Sequence, residues 1–220
     1  MKAVIFDFDG LVVDTETPAF RAWSGIYQEH GAELALADWV QCVGSGYGKF
    51  DPVKHLEKLT GIRLDDVELK ARKDKLKAEI CETQPLMPGV SSLIQEASEL
   101  GVPVAIASSS GRDWIDFHAR RTGILDLIRV ICTREDVRQI KPAPDLYLLA
   151  SERLGVSVSE CIVFEDSQNG VAAARAAGMI AVAVPNMVTA QSDFSTADLV
   201  LQSLADTTLR DLRRRLWPNA

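Results

Sequence analysis

A chain of 220 residues is long enough for one sizeable core together with a small accessory unit. Hydrophobic residues at 47% and charged residues at 25% describe an ordinary globular protein, and a net charge of −7 argues against a nucleic-acid partner. No apolar run approaches the roughly 18 residues that span a bilayer. With no signal-peptide pattern after Met1, the expectations are no membrane and a cytoplasmic location.

In chain order, short apolar runs predict strands at Ala3–Phe6, Val102–Ala107, Arg129–Ile131, Cys161–Phe164, Ile180–Val184 and Leu199–Leu201. Most are continuous rather than alternating, as expected when helices cover both faces of a parallel sheet. Between them, helices are predicted at Val90–Leu100, Asp113–Thr122, Asp145–Leu154 and Gly170–Ala177. Gly101, Gly123, Gly155 and Gly178 follow, where helix ends favour positive φ. Strand–helix alternation implies an α/β fold, a doubly wound Rossmann-like parallel sheet.

Residues 16–82 break the rhythm. Pro18–Gln28, Leu36–Cys42, Pro52–Thr60 and Asp65–Cys81 read as helices, with no strand between them. The expected organisation is an α/β core of residues 1–15 and 83–220 with an all-helical cap, 16–82, inserted after the first strand. The charged run Glu68–Lys75 reads as a solvated face. Cys42, Cys81, Cys132 and Cys161 are scattered and read as buried thiols; His30, His55 and His118 lie at no metal-ligand spacing.

The chemistry-bearing residues gather at strand ends, where open α/β sheets bind ligands. The first strand runs into Phe6-Asp7-Phe8-Asp9-Gly10. Two acids at i and i+2 repel unless a cation lies between them or they serve a turn. The fourth strand runs into Glu165-Asp166-Ser167-Gln168-Asn169-Gly170. If it neighbours the first, four carboxyl groups converge, a hard-oxygen set suited to Mg²⁺; the alternative for Asp166 or Ser167 is a helix N-cap. Ser108, Ser109 and Ser110 end the second strand, offering hydroxyl and amide groups to an anion or an N-cap to the next helix. Lys141, in the proline-braced Lys141-Pro142-Ala143-Pro144, can neutralise a phosphate or be an ordinary surface cation. As a set these groups meet the needs of phosphoryl transfer, in which metal and cation screen a dianion from a carboxylate.

Together the segments Asp7-Phe8-Asp9-Gly10-Leu11-Val12-Val13-Asp14-Thr15-Glu16, Ser108, Lys141-Pro142-Ala143-Pro144-Asp145 and Glu165-Asp166-Ser167 with Asn169-Gly170 resemble the four signatures of the haloacid dehalogenase superfamily. The β-phosphoglucomutase-like branch is the nearest in pattern. The resemblance implies that Asp7 is the nucleophile and Asp9 the general acid and base. It further implies that Mg²⁺ is held by Asp7, the Asp9 backbone carbonyl, Asp166 and Glu165, and the phosphoryl group by Ser108, the Ser109 amide and Lys141.

The mutase pattern has a His where this chain has Ala19. Its cap loop carries an Arg near the place of Tyr47, within Cys42-Val43-Gly44-Ser45-Gly46-Tyr47-Gly48-Lys49. The implied activity is therefore a phosphatase of a small phosphorylated metabolite, a sugar phosphate, with a sugar-phosphate mutase as the alternative. Lys49 and Arg112 are further candidates for an anionic substrate. A phospho-accepting signalling receiver shares the Asp, Ser, Lys and Mg²⁺ set, but it is shorter, has no helical cap and has no use for Asp9. A monomer is expected.

Overall fold

In the computed structural model, residues 1–43 and 50–218 are described. The elements in order are β1 (Ala3–Phe6), α1 (Glu16–Glu29), α2 (Leu36–Trp39), α3 (Pro52–Thr60), α4 (Asp66–Cys81), α5 (Val90–Glu99), β2 (Val104–Ala107), α6 (Arg112–Arg121), β3 (Val130–Cys132), α7 (Asp145–Leu154), β4 (Cys161–Glu165), α8 (Gln168–Ala176), β5 (Ile180–Ala183), β6 (Leu199–Val200) and α9 (Leu209–Leu216). The strands form one six-stranded parallel sheet in the order β3-β2-β1-β4-β5-β6. This is the doubly wound α/β fold. The first strand in sequence lies inside the sheet, between β2 and β4, and Phe6 pairs with Ile106 on one side and Phe164 on the other.

The two faces of the sheet differ in bulk. Val4, Phe6, Ile106, Ile162, Phe164 and Val182 pack on one side against residues of α5, α6 and α9. The other face carries Ala3, Ala105, Ala107, Ala181 and Ala183, small side chains that let α7 and α8 lie close. Gly101, Gly123, Gly155 and Gly178 all follow helices with positive φ, as expected from their positions.

Between β1 and β2 the described residues contain helices and no strand of the sheet. These helices enclose an apolar cluster of their own around Trp23, Ile26, Tyr27 and Leu56, each fully buried. Burial of such a side chain contributes about 2 kcal/mol. Asp51 caps α3 and Asp65 caps α4, each accepting from two backbone N–H groups.

Helix α4 departs from expectation. Its buried positions Leu69, Lys73 and Cys81, with the half-buried Lys77, recur every four residues and form one stripe. The run Glu68–Lys75 is therefore not wholly solvated: Lys73 faces inward at 8% exposure. Other differences are small. The span Leu36–Cys42 divides into α2 and a 3₁₀ turn, Val40–Cys42, and β2 starts at Val104 rather than Val102. Among the described residues no helix is long and apolar enough to cross a membrane.

Candidate active site

Asp7 follows β1 directly, and its N–H donates to the Phe164 carbonyl at 3.0 Å, fixing the strand end against β4. Because β1 and β4 are neighbours in register, Asp7 meets Glu165 and Asp166 across the C-terminal edge of the sheet. One carboxylate oxygen from each of the three lies within 4.8 Å of the others, and all three residues are buried. Lys141 is 2% exposed; its ammonium donates to Asp7 Oδ1 and, at 2.7 Å, to Glu165 Oε1. Glu165 is also held by the Tyr147 hydroxyl at 2.6 Å, the Ser167 N–H at 3.1 Å and the Ser167 hydroxyl at 3.0 Å. The Lys141–Pro142 peptide is cis.

Among the described residues, three buried carboxylates thus face the Lys141 ammonium. Burial first, and then the charge of Glu165, push the Asp7 carboxyl up to about 8 although Lys141 opposes the shift. Burial and the charges of Glu165 and Asp7 hold Asp166 well above the usual carboxylate range. Burial acts to lower Lys141, but Asp7 and Glu165 outweigh it and its ammonium is firmly charged. An all-oxygen donor set with surplus negative charge fits a hard divalent cation.

The fourth carboxyl group expected in this cluster stands apart from it. Asp9 lies beyond the end of β1, where Gly10 turns the chain at φ 80°. Its Oδ1 accepts from the Thr15 hydroxyl at 2.7 Å and the Trp114 indole N–H at 2.9 Å. Its Oδ2 accepts from the Ser110 hydroxyl at 2.6 Å and from Ser108 at 3.4 Å. Lys77 Nζ stands 3.7 Å from Oδ1 and 4.8 Å from the centre of the Trp114 ring. Burial acts to raise Asp9, yet Lys77 and the hydroxyl and indole donors prevail and keep it below its ordinary value. Its side chain is therefore engaged apart from the carboxylate cluster.

Ser108, Ser109 and Ser110 do not cap α6, whose N-cap is Gly111. Ser109 Oγ is buried beside the cavity without a hydrogen-bond partner among the described residues. Ser167, by contrast, does cap α8, accepting from the Gly170 N–H at 3.1 Å. A cavity of about 340 Å³ joins Asp7, Asp9, Lys141 and the serines to Glu16, Ala19, Lys73 and Lys77. Arg112 pairs with Asp116 at 2.9 Å on the surface. Gly44, Ser45, Gly46, Tyr47, Gly48 and Lys49 lie outside the described residues.

Several groups around the site carried no role in the sequence reading: Thr15, Lys77, Trp114, Tyr147 and Asn186. The four-residue spacing of Leu69, Lys73, Lys77 and Cys81 was a usable signal for Lys77. Trp114, Tyr147 and Asn186 have no local signature, because their partners come from distant chain segments.

Residues 1–178 match the family profile of haloacid dehalogenase-like hydrolases. The chain belongs to that family. As a haloacid dehalogenase-like hydrolase it is an enzyme of phosphoryl transfer. It is 42% identical over 209 residues to YhcW of Bacillus subtilis, named as a phosphatase, covering 95% of this chain and 94% of that protein. Hexitol phosphatase A of Escherichia coli is 31% identical over 213 residues, covering 94% of each. The solved structure of CbbY from Rhodobacter sphaeroides in complex with phosphate superposes with a TM-score of 0.78 at 26% identity, over 96% of this chain and 99% of that one. A family hydrolase from Deinococcus radiodurans, solved with bound phosphate and sodium, gives a TM-score of 0.79 at 26% identity, over 99% of this chain and 96% of that one.

Proposed function

We propose that the protein is a Mg²⁺-dependent phosphatase of a small phosphorylated metabolite, a sugar phosphate, working through an aspartyl-phosphate on Asp7. The observation that carries the reading is the buried group of Asp7, Glu165 and Asp166, with Lys141 paired to the first two. Mg²⁺ would be held by Asp7, Asp166, the Asp9 backbone carbonyl and Glu165, and when bound it would neutralise phosphoryl charge as a Lewis acid. The relatives named as phosphatases, hexitol phosphatase A among them, support the substrate class.

In this reading an Asp7 carboxylate oxygen attacks phosphorus as the bond to the leaving oxygen breaks, and Asp9, which Lys77 and its donors here hold as a carboxylate, must leave those partners and take up a proton before it gives one to that oxygen. Asp9, now a carboxylate, takes a proton from water. The water oxygen attacks phosphorus, inorganic phosphate leaves and Asp7 is restored. Lys141 and the amides and hydroxyls of Ser108 and Ser109 hold phosphoryl oxygens, and the unpartnered Ser109 hydroxyl is free to do so. The helices of residues 16–82 act as the cap over the cavity and supply Ala19, Lys73 and Lys77 to its wall.

The test is phosphate release from a panel of sugar, polyol and nucleoside phosphates. Activity is expected to vanish with a chelator, return with Mg²⁺ and be lost in well-folded Asp7→Asn. Wild-type turnover by Asp7→Asn, or full activity in metal-free buffer, would defeat the mechanism. β-Glucose 1-phosphate, with and without the 1,6-bisphosphate, is expected to give free phosphate; bisphosphate-dependent isomerisation would instead make the protein a mutase.

A further inference from the structure

The carboxylates of the site are not equally restrained. Lys141 bonds Asp7, and Lys141, Tyr147 and Ser167 together hold Glu165. Asp166 has one hydrogen-bond partner among the described residues: its Oδ2 accepts from the side-chain amide of Asn186 at 2.7 Å. Asn186 lies in the loop after β5, the strand beside β4, and is 7% exposed. From there it reaches across β4 to the turn that follows Asp9, donating a second N–H to the Gly10 carbonyl at 3.1 Å.

The other end of the same side chain fixes which way the amide points. Asn186 Oδ1 accepts from the backbone N–H groups of Val188 at 2.9 Å and Thr189 at 3.1 Å, which can only donate. The NH₂ group must therefore face Asp166 and Gly10. The backbone N–H of Asn186 donates in turn to the Thr189 hydroxyl at 3.1 Å, closing the loop on itself. The space is tight as well as bonded: a Cβ on Gly10 would overlap Asp166 Oδ2 and come within 2.6 Å of Asn186 Nδ2.

We infer that Asn186 is a positioning residue for the metal site, holding the Asp166 carboxylate and the Asp9-Gly10 turn in the arrangement that receives the divalent cation. The inference rests on the metal reading proposed above. It differs from a purely structural role in one respect. The loop needs only the oxygen of Asn186, whereas its two N–H donors go to groups outside the loop. Outer-shell partners of this kind are worth about 10- to 100-fold in metal affinity.

The experiment titrates the substrate-free protein with Mn²⁺ alone and follows the free-ion signal by electron paramagnetic resonance. Wild type, Asp166→Ala, Asn186→Ala and Thr189→Val are compared, with melting temperatures in parallel. Asn186→Ala is expected to weaken Mn²⁺ binding about tenfold. Thr189→Val disturbs the same loop without touching the donors and is expected to stay within about twofold. In the Mg²⁺-activated reaction, Asn186→Ala is expected to raise the Mg²⁺ requirement with little change in substrate KM. Should Asn186→Ala not fold, Asn186→Ser keeps an oxygen toward the loop and takes its place.

Asn186→Ala binding Mn²⁺ within twofold of wild type overturns the inference and leaves the metal site standing. So does a parallel loss in both loop variants in step with melting temperature. A wild-type protein that does not bind Mn²⁺ removes the metal reading itself, and the inference with it.

Discussion

Asp7 and Asp9 are two residues apart, yet their surroundings drive them in opposite directions. Asp7 sits among carboxylates and is raised to about 8, against an ordinary carboxylate value near 3.8. In that interval the folded state binds more protons than the unfolded one, so without metal this group's contribution to stability falls as pH rises through the window. Asp7→Asn is therefore expected to melt above wild type in chelator at pH 8, with the gap closing by pH 5. Equal melting curves at both values would contradict the charge crowding. Asp9 is instead held as a carboxylate by neutral donors and by Lys77. Trp114→Phe keeps a ring beneath Lys77 but deletes one donor, and turnover is expected to fall about tenfold, near the low end of what acid–base positioning contributes. Steady-state kinetics with unchanged melting temperature would check this.

At the scale of elements, α4 links stability to the cavity. Its first turn is held by Asp65, which accepts from Val67 at 2.9 Å and Glu68 at 3.0 Å, and its inward stripe delivers Lys73 and Lys77. Asp65→Ala is expected to cost about 1 kcal/mol in urea unfolding, with Asp65→Ser recovering most of it. The strands were legible because both faces of the sheet are covered, so β1 and β4 read as unbroken apolar runs. The residues at the ends of those strands were legible for the same reason, and Asp7, Glu165, Asp166 and Lys141 do meet. Two helices were harder to read. α4 carries lysines where a buried stripe normally carries aliphatics. α9, Leu209–Leu216, was not foreseen, because Leu-Arg-Asp-Leu-Arg-Arg-Arg-Leu buries only Leu209 and Leu212 and resembles a charged tail. The Asn186 contacts were illegible for a third reason: its partners Gly10 and Asp166 are brought to it only by sheet order.

Taken whole, the molecule keeps three of its thiols inside. Cys81, Cys132 and Cys161 are fully buried, and burial first pushes each thiol up to about 11. At most one of the four cysteines is expected to react with Ellman's reagent in the native protein at pH 8, and all four after denaturation. Rapid modification of two or more would show that the packing around them opens.

The place of β1 inside the sheet also bears on how the protein is made. A ribosome delivers Asp7 before either neighbour of its strand, one of which arrives only at residue 104 and the other only at residue 161. Lys141 arrives between these, and Asn186 after both. A nascent chain therefore holds Asp7 at the end of an unpartnered strand until that long-range pairing is made. A copy that stops before residue 141 lacks both the Glu165-Asp166 pair and the Lys141 partner of Asp7. Products truncated before residue 186 are accordingly expected to be inactive in phosphate release.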